Sequence, residues 1–123
     1  VYRAFFDEDV KLMKSGGTAT PEVKLLLAGP MVARYAKEKA DQHDVGLTSI
    51  GTYRLTIVQP SDITIYPGSD LAFDTCIDGS GADGYIKGSF KSHGSVVKGH
   101  AYLKREAADW KVWWTDGQVV TSC

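Results

Sequence analysis

The chain lacks most of the features that announce a chemistry. It has two cysteines, three histidines and four prolines in 123 residues, and the cysteines form no CxxC pair, so no zinc ribbon or dithiol redox motif is present. His43, His93 and His100 fall in no HxH, HxxxH or HxxE arrangement, which leaves no element that supplies metal ligands by itself. A surplus of one charge is also missing. Fourteen basic residues face fifteen acidic ones, and the longest basic run, Lys104-Arg105, is followed at once by Glu106; this excludes a field that draws in nucleic acid or an anionic membrane surface. No apolar run approaches the about 18 residues of a membrane span; the nearest, from Val23 to Ala33, is cut by Lys24 and by Gly29-Pro30. There is no GxSxG elbow, and Gly94-Ser95-Val96 opens a strand with no helix behind it, so a serine nucleophile is not expected. A catalytic Cys76 would need a nearby base and a helix N-terminus, and neither is visible.

What is present starts with the two cysteines. Cys76 lies in the β-like run Leu71–Asp78, and Cys123 follows the run that opens at Trp110. An even, sparse count on strands predicts a structural disulfide and an oxidising, extracytoplasmic compartment. Two free, buried, apolar cysteines are the alternative. The opening Val1-Tyr2-Arg3-Ala4-Phe5-Phe6 reads as helix rather than leader, so an exported protein is expected to carry its leader or membrane anchor outside these residues.

The first third has helical periodicity. Tyr2, Phe5, Phe6, Val10 and Met13 share one side of a helix over Tyr2 to Lys14, which Ser15-Gly16-Gly17 stops. Thr20-Pro21-Glu22 combines a cap, an N1 proline and an early carboxylate to start a short second helix, ended by Gly29-Pro30. A third runs from Pro30 to about His43, with Val32, Tyr35, Ala36 and Ala40 on one stripe, and closes near Gly46. From there the period becomes 2. Strands are predicted over Thr52–Val58, Asp62–Tyr66, Leu71–Ile77, Tyr85–Lys91, Ser95–Arg105 and Trp110–Thr121, with Gln59-Pro60-Ser61 as a bulge or bend that splits one long strand. Helices followed by a strand meander predict one α+β domain over residues 1–123, with the helices packed on one face of a curved antiparallel sheet.

This order of elements, with the strand ending Cys76-Ile-Asp78 and the close Leu103-Lys-Arg105, Trp110-Lys-Val112 and Cys123, resembles the nuclear-transport-factor-2-like superfamily. More narrowly, it is similar to small extracytoplasmic bacterial members, often lipoproteins or membrane-anchored domains. The resemblance implies a sheet wrapped by helices into a cone with an apolar pocket. It implies no reaction, since that frame carries isomerases, dehydratases, transport adaptors and secretion-system scaffolds alike.

Several residues invite a chemical reading. Gly79-Ser-Gly81-Ala-Asp-Gly84 matches the letters of a dinucleotide fingerprint, but the strand-like Tyr85–Phe90 follows where a helix is needed, so a flexible hairpin loop is expected. Asp78, Ser80 and Asp83 offer oxygens without EF-hand spacing or a later bidentate Glu. No cofactor or metal is expected. For isomerase-like chemistry the candidates are Asp74 as base and Tyr35 and Tyr53 as hydrogen-bond donors; period-2 alternation places Asp74 with Ala72 and Cys76, and on an outer face it is merely solvated. Phe5, Phe6, Tyr35 and Trp110 are the expected pocket residues. Trp110, Val112 and Trp114 are assigned one face of the last strand and Trp113 the other, where an exposed ring would mark a partner surface.

The first functional reading is a non-enzymatic binding or assembly domain, secreted or anchored at a cell envelope, which contacts a protein partner or pairs as a homodimer through the sheet face carrying Trp113. The second is a pocket for a small apolar ligand, as carrier or as isomerase- or dehydratase-like enzyme. The third is a scaffold within a conjugation or secretion apparatus.

Overall fold

The first helix begins with aromatic residues at helical spacing. In the computed structural model, which describes residues 1–123, α1 (Tyr2–Ser15) buries Tyr2, Phe5, Phe6 and Leu12. It ends where Gly16 takes a φ of 73° and donates its N–H to the Leu12 carbonyl at 2.8 Å, a left-handed cap that costs a glycine little. α2 (Pro21–Lys24) is a single turn, started by the Thr20 hydroxyl accepting from the Val23 N–H at 3.2 Å. α3 (Pro30–Val45) begins at its proline and closes on Gly46 at φ 75°.

Five strands follow: β1 (Leu47–Pro60), β2 (Leu71–Ile86), β3 (Ser89–His93), β4 (Val96–Glu106) and β5 (Asp109–Val120). All pair antiparallel in the order β1-β2-β4-β5. β4 covers only the first half of β2, from Leu71 to Asp78, and β3 pairs with Asp83 to Ile86. The α+β architecture is the one predicted, with α1 packed on β1 and α3 on β5. Between α2 and α3 the backbone reaches the edge of β5: Val112 donates to Leu26 and accepts from Ala28. That contact occupies part of an edge that would otherwise present unpaired groups.

Four local expectations are corrected. Residues Gly79–Gly84 are not a loop but part of the second half of β2; the hairpin lies later, at Lys87 and Gly88, where φ is 50° and 82°, as a two-residue hairpin turn requires. The glycines serve close packing instead. A Cβ on Gly79 would come within 3.1 Å of the Tyr53 ring, and one on Gly94 would collide with the Gly79 carbonyl. The second correction is that Asp62–Tyr66 is no strand: β1 stops at Pro60, and the segment beyond it brings Tyr66 to stack on Trp114, with ring centres 5.3 Å apart and 13° between planes. The third concerns the tryptophans. Tyr102 pairs with Trp114 and Leu103 with Val112, so Trp113 is the extra residue of a bulge. Val112 and Trp110 therefore face the helices, and Trp114 faces the opposite side. The fourth is the buried stripe of α3, which is Met31, Tyr35 and Lys39, while Val32 is exposed.

The core is one cluster that includes Phe5, Leu27, Met31, Tyr35, Ala101, Leu103 and Val112. Phe5 and Tyr35 meet edge-on at 5.3 Å, a favoured aromatic geometry. On the far side of the sheet Cys76 is 2% exposed and is joined to Cys123 across 47 residues of sequence. The bond ties the segment after β5 onto the centre of β2.

Candidate functional site: a cavity between the helices and the sheet

Between α1, the last turns of α3 and the helix-facing side of β1, β2 and β4 lies a cavity of about 400 Å³, with Gly79, Gly84 and Gly94 among its lining residues. Phe6, Met13, Leu47, Tyr53, Ile77 and Val97 give it a largely apolar wall. Phe6 and Met13 reach it because they are seven residues apart on α1, on the same helix face. The exposed Ser92 and His93 lie at its rim.

Behind Asp9 and Gln42 of this wall lies a buried cation. Lys39 is 4% exposed, and an ammonium so buried requires partners. Its Nζ donates to Asp9 Oδ1 at 2.7 Å and to Gln42 Oε1 at 3.2 Å. The Tyr35 hydroxyl donates to the same Asp9 oxygen at 2.6 Å. Burial, followed by the Asp9 charge, pushes the Tyr35 phenol well above its usual range. Tyr2 is pushed up to about 12, chiefly by burial, with Thr75 opposing and Asp9 adding. Asp9 and Gln42 also line the cavity. So does Ser49, whose Oγ is the one buried side-chain oxygen or nitrogen without a hydrogen-bond partner.

The opposite face of the sheet carries a second polar cluster. Asp116 accepts from the Tyr102 hydroxyl at 3.0 Å and pairs with His100 Nδ1 at 2.8 Å, while His100 Nε2 lies 3.5 Å from Asp74 Oδ1. Burial and Asp116 together push the Tyr102 phenol up to about 12. Arg34 reaches round the edge of β5 to donate to the Thr115 carbonyl and to lie 4.3 Å over the Trp114 ring. Further along, Asp78 accepts from Ser80 and from Arg54, and these bonds hold its carboxyl below the usual range. Asp83 pairs with His93 at 2.8 Å. Both oxygens of Asp78 and Oδ1 of Asp83 are thus engaged within the chain.

The candidates for chemistry do not converge. Asp74 lies on the face away from the helices, opposite His100; Tyr35 is in the core with its hydroxyl committed to Asp9; only Tyr53 reaches the cavity. Of the expected pocket residues, Phe6 alone lines it. Phe5, Tyr35 and Trp110 pack into or against the core, because the bulge and α3 fill that end of the helix–sheet layer. Trp113, expected on a partner surface, lies against Gly29 and Gly68, where a Cβ would collide with its ring, and donates its Nε1–H to the Pro67 carbonyl at 3.0 Å. Both glycines have positive φ, 56° and 89°, which fits backbone pressed against an indole. Sequence reasoning missed Asp9, Lys39 and Gln42. The available signal was Lys39, a lysine four residues after Tyr35 and eight after Met31, on a stripe that should be apolar.

No family model matches the sequence, and no curated protein does. Among solved structures, the crystal structure of the intermembrane space region of chloroplast protein ARC6 is similar at 14% identity and a TM-score of 0.46, with 97% of each chain covered.

Proposed function

We propose that this chain is a non-enzymatic, extracytoplasmic binding domain of the nuclear-transport-factor-2-like type, which holds a small, mainly apolar molecule between its helices and its sheet. The observation that carries the reading is the cavity of about 400 Å³ with its wall of Phe6, Met13, Leu47, Tyr53, Ile77 and Val97, a size and lining suited to small-molecule sites. The Cys76–Cys123 bond supports an oxidising compartment, and so a secreted protein or one held at the cell envelope. The binding reading is preferred to catalysis because Asp74 faces away from the cavity and Tyr35 is committed to Asp9.

Titration with the apolar fluorophore N-phenyl-1-naphthylamine tests this. The protein is expected to enhance the dye's emission saturably with one site, and Val97→Phe, which fills the cavity, is expected to weaken binding at least about tenfold while leaving the far-ultraviolet circular dichroism unchanged. A missing signal, or one indifferent to Val97→Phe, removes the reading.

A further inference from the structure

We infer that Asp9 and Gln42 form a preset acceptor–donor pair that selects ligands bearing an uncharged carboxamide; the inference rests on the cavity reading above. Lys39 sets the pair. An ammonium has only donors, so the Gln42 atom 3.2 Å from Lys39 Nζ must be the carbonyl oxygen Oε1. The orientation of that amide is therefore forced, and its NH₂ is the group left over. On Asp9, Oδ1 already accepts from both Tyr35 and Lys39, while Oδ2 takes no protein hydrogen bond, so the acceptor left over is Oδ2. Both residues line the cavity.

A carboxamide matches this arrangement, its N–H toward Asp9 and its carbonyl toward the Gln42 NH₂. An ester can satisfy only Gln42 and leaves Asp9 desolvated without a donor. Charge points the same way: Asp9 and Lys39 neutralise one another, so neither a cationic nor an anionic ligand gains a free counter-charge. The Ser49 hydroxyl, buried without a protein partner in the same wall, is a further polar group that the fold does not satisfy by itself. Lys39 is a positioning residue, since it acts on a ligand only through the two side chains it holds.

The test displaces bound N-phenyl-1-naphthylamine with 2-naphthamide, methyl 2-naphthoate and naphthalene, on wild type and on Gln42→Glu. That substitution keeps an oxygen for Lys39 and replaces the free NH₂ by an acceptor. 2-Naphthamide is expected to displace the dye at about tenfold lower concentration than the ester. Gln42→Glu is expected to weaken amide and ester alike, since both carbonyls lose the Gln42 donor, to keep the amide ahead because its N–H still meets Asp9, and to leave naphthalene unchanged. Equal potency of amide and ester on wild type, an ester affinity that Gln42→Glu leaves unchanged, or an amide advantage that survives Asp9→Asn overturns the inference while the cavity reading stands. Failure of the dye and all three compounds to bind overturns both. Asp9→Asn, which replaces the free acceptor by a donor while retaining an oxygen for Tyr35 and Lys39, is the variant that should erase the preference.

Discussion

The two ends of the helix–sheet layer are built from the same elements and packed in opposite ways. At one end Met31, Tyr35, Ala101, Leu103 and Val112 close on one another, with Val112 and Ala101 fully buried and Met31 at 2% exposure. At the other end the sheet presents Gly79, Gly84 and Gly94, and the cavity opens. The difference lies in side-chain volume. Where β4 and β5 offer Leu103 and Val112 to α3, dispersion and hydrophobic burial are both realised; where β2 offers glycine, α1 has nothing to meet. The loss of packing is local, because β2 runs unbroken from Leu71 to Ile86 through both ends and its ladder bonds do not depend on side chains.

Three measurements break or sharpen that contrast. The largest effect is expected from Cys76→Ser with Cys123→Ser. Cys76 lies on β2 beside both ends, and loss of a cross-link spanning 47 residues should cost about 4 kcal/mol on the chain-entropy account, read as a lower urea midpoint. A protein equally stable without the bond would show that the clamp adds nothing. Next, Met31→Ala at the filled end is expected to cost about 3 kcal/mol, and Val97→Ala at the cavity wall less than about 1 kcal/mol, because the wall of an existing cavity loses few contacts. Equal costs would erase the distinction between the ends. The smallest effect is that of alkali. Tyr2 titrates at about 12 when folded, against 10.0 for an unperturbed tyrosine, so above pH 10 the unfolded chain holds fewer protons than the folded one. Stability is then full below pH 10 and falls as pH rises toward 12, by about 2 to 3 kcal/mol from this residue. Tyr2→Phe should flatten the fall in urea melts between pH 9 and 11.5, and an unchanged slope would count against burial as its cause.

Local chemistry accounts for what was legible. The Thr20-Pro21 start, the Gly16 and Gly46 stops and the change of period near residue 47 each depend on one or two neighbouring residues, and each is where the sequence places it. The cysteine pairing was legible as the favoured of two options. The errors share a different cause. Gly79–Gly84 reads as a loop because glycine normally marks one, yet here it marks where Tyr53, Ser95 and Gly94 press on β2. Trp110, Val112 and Trp114 read as one face because a bulge leaves no local trace in alternation. Lys39 escaped a local reading because the partners that let it be buried, Asp9 and Gln42, are 30 residues before it and three after it.

By itself, then, the amino-acid order determined the helices, their starts and the glycine stops of α1 and α3, the antiparallel α+β class and the presence of a cysteine pair, since backbone torsion preferences and hydrophobic periodicity act over a few residues; the end of α2 at Lys24, short of Gly29-Pro30, was not among them. The tertiary structure alone decided which glycines bend and which make room, that Trp113 packs between Gly29 and Gly68, and that a cavity with one acid–lysine–amide group sits beside a filled core. Those outcomes depend on volumes and hydrogen-bond partners brought together from distant parts of the chain, which no local window contains.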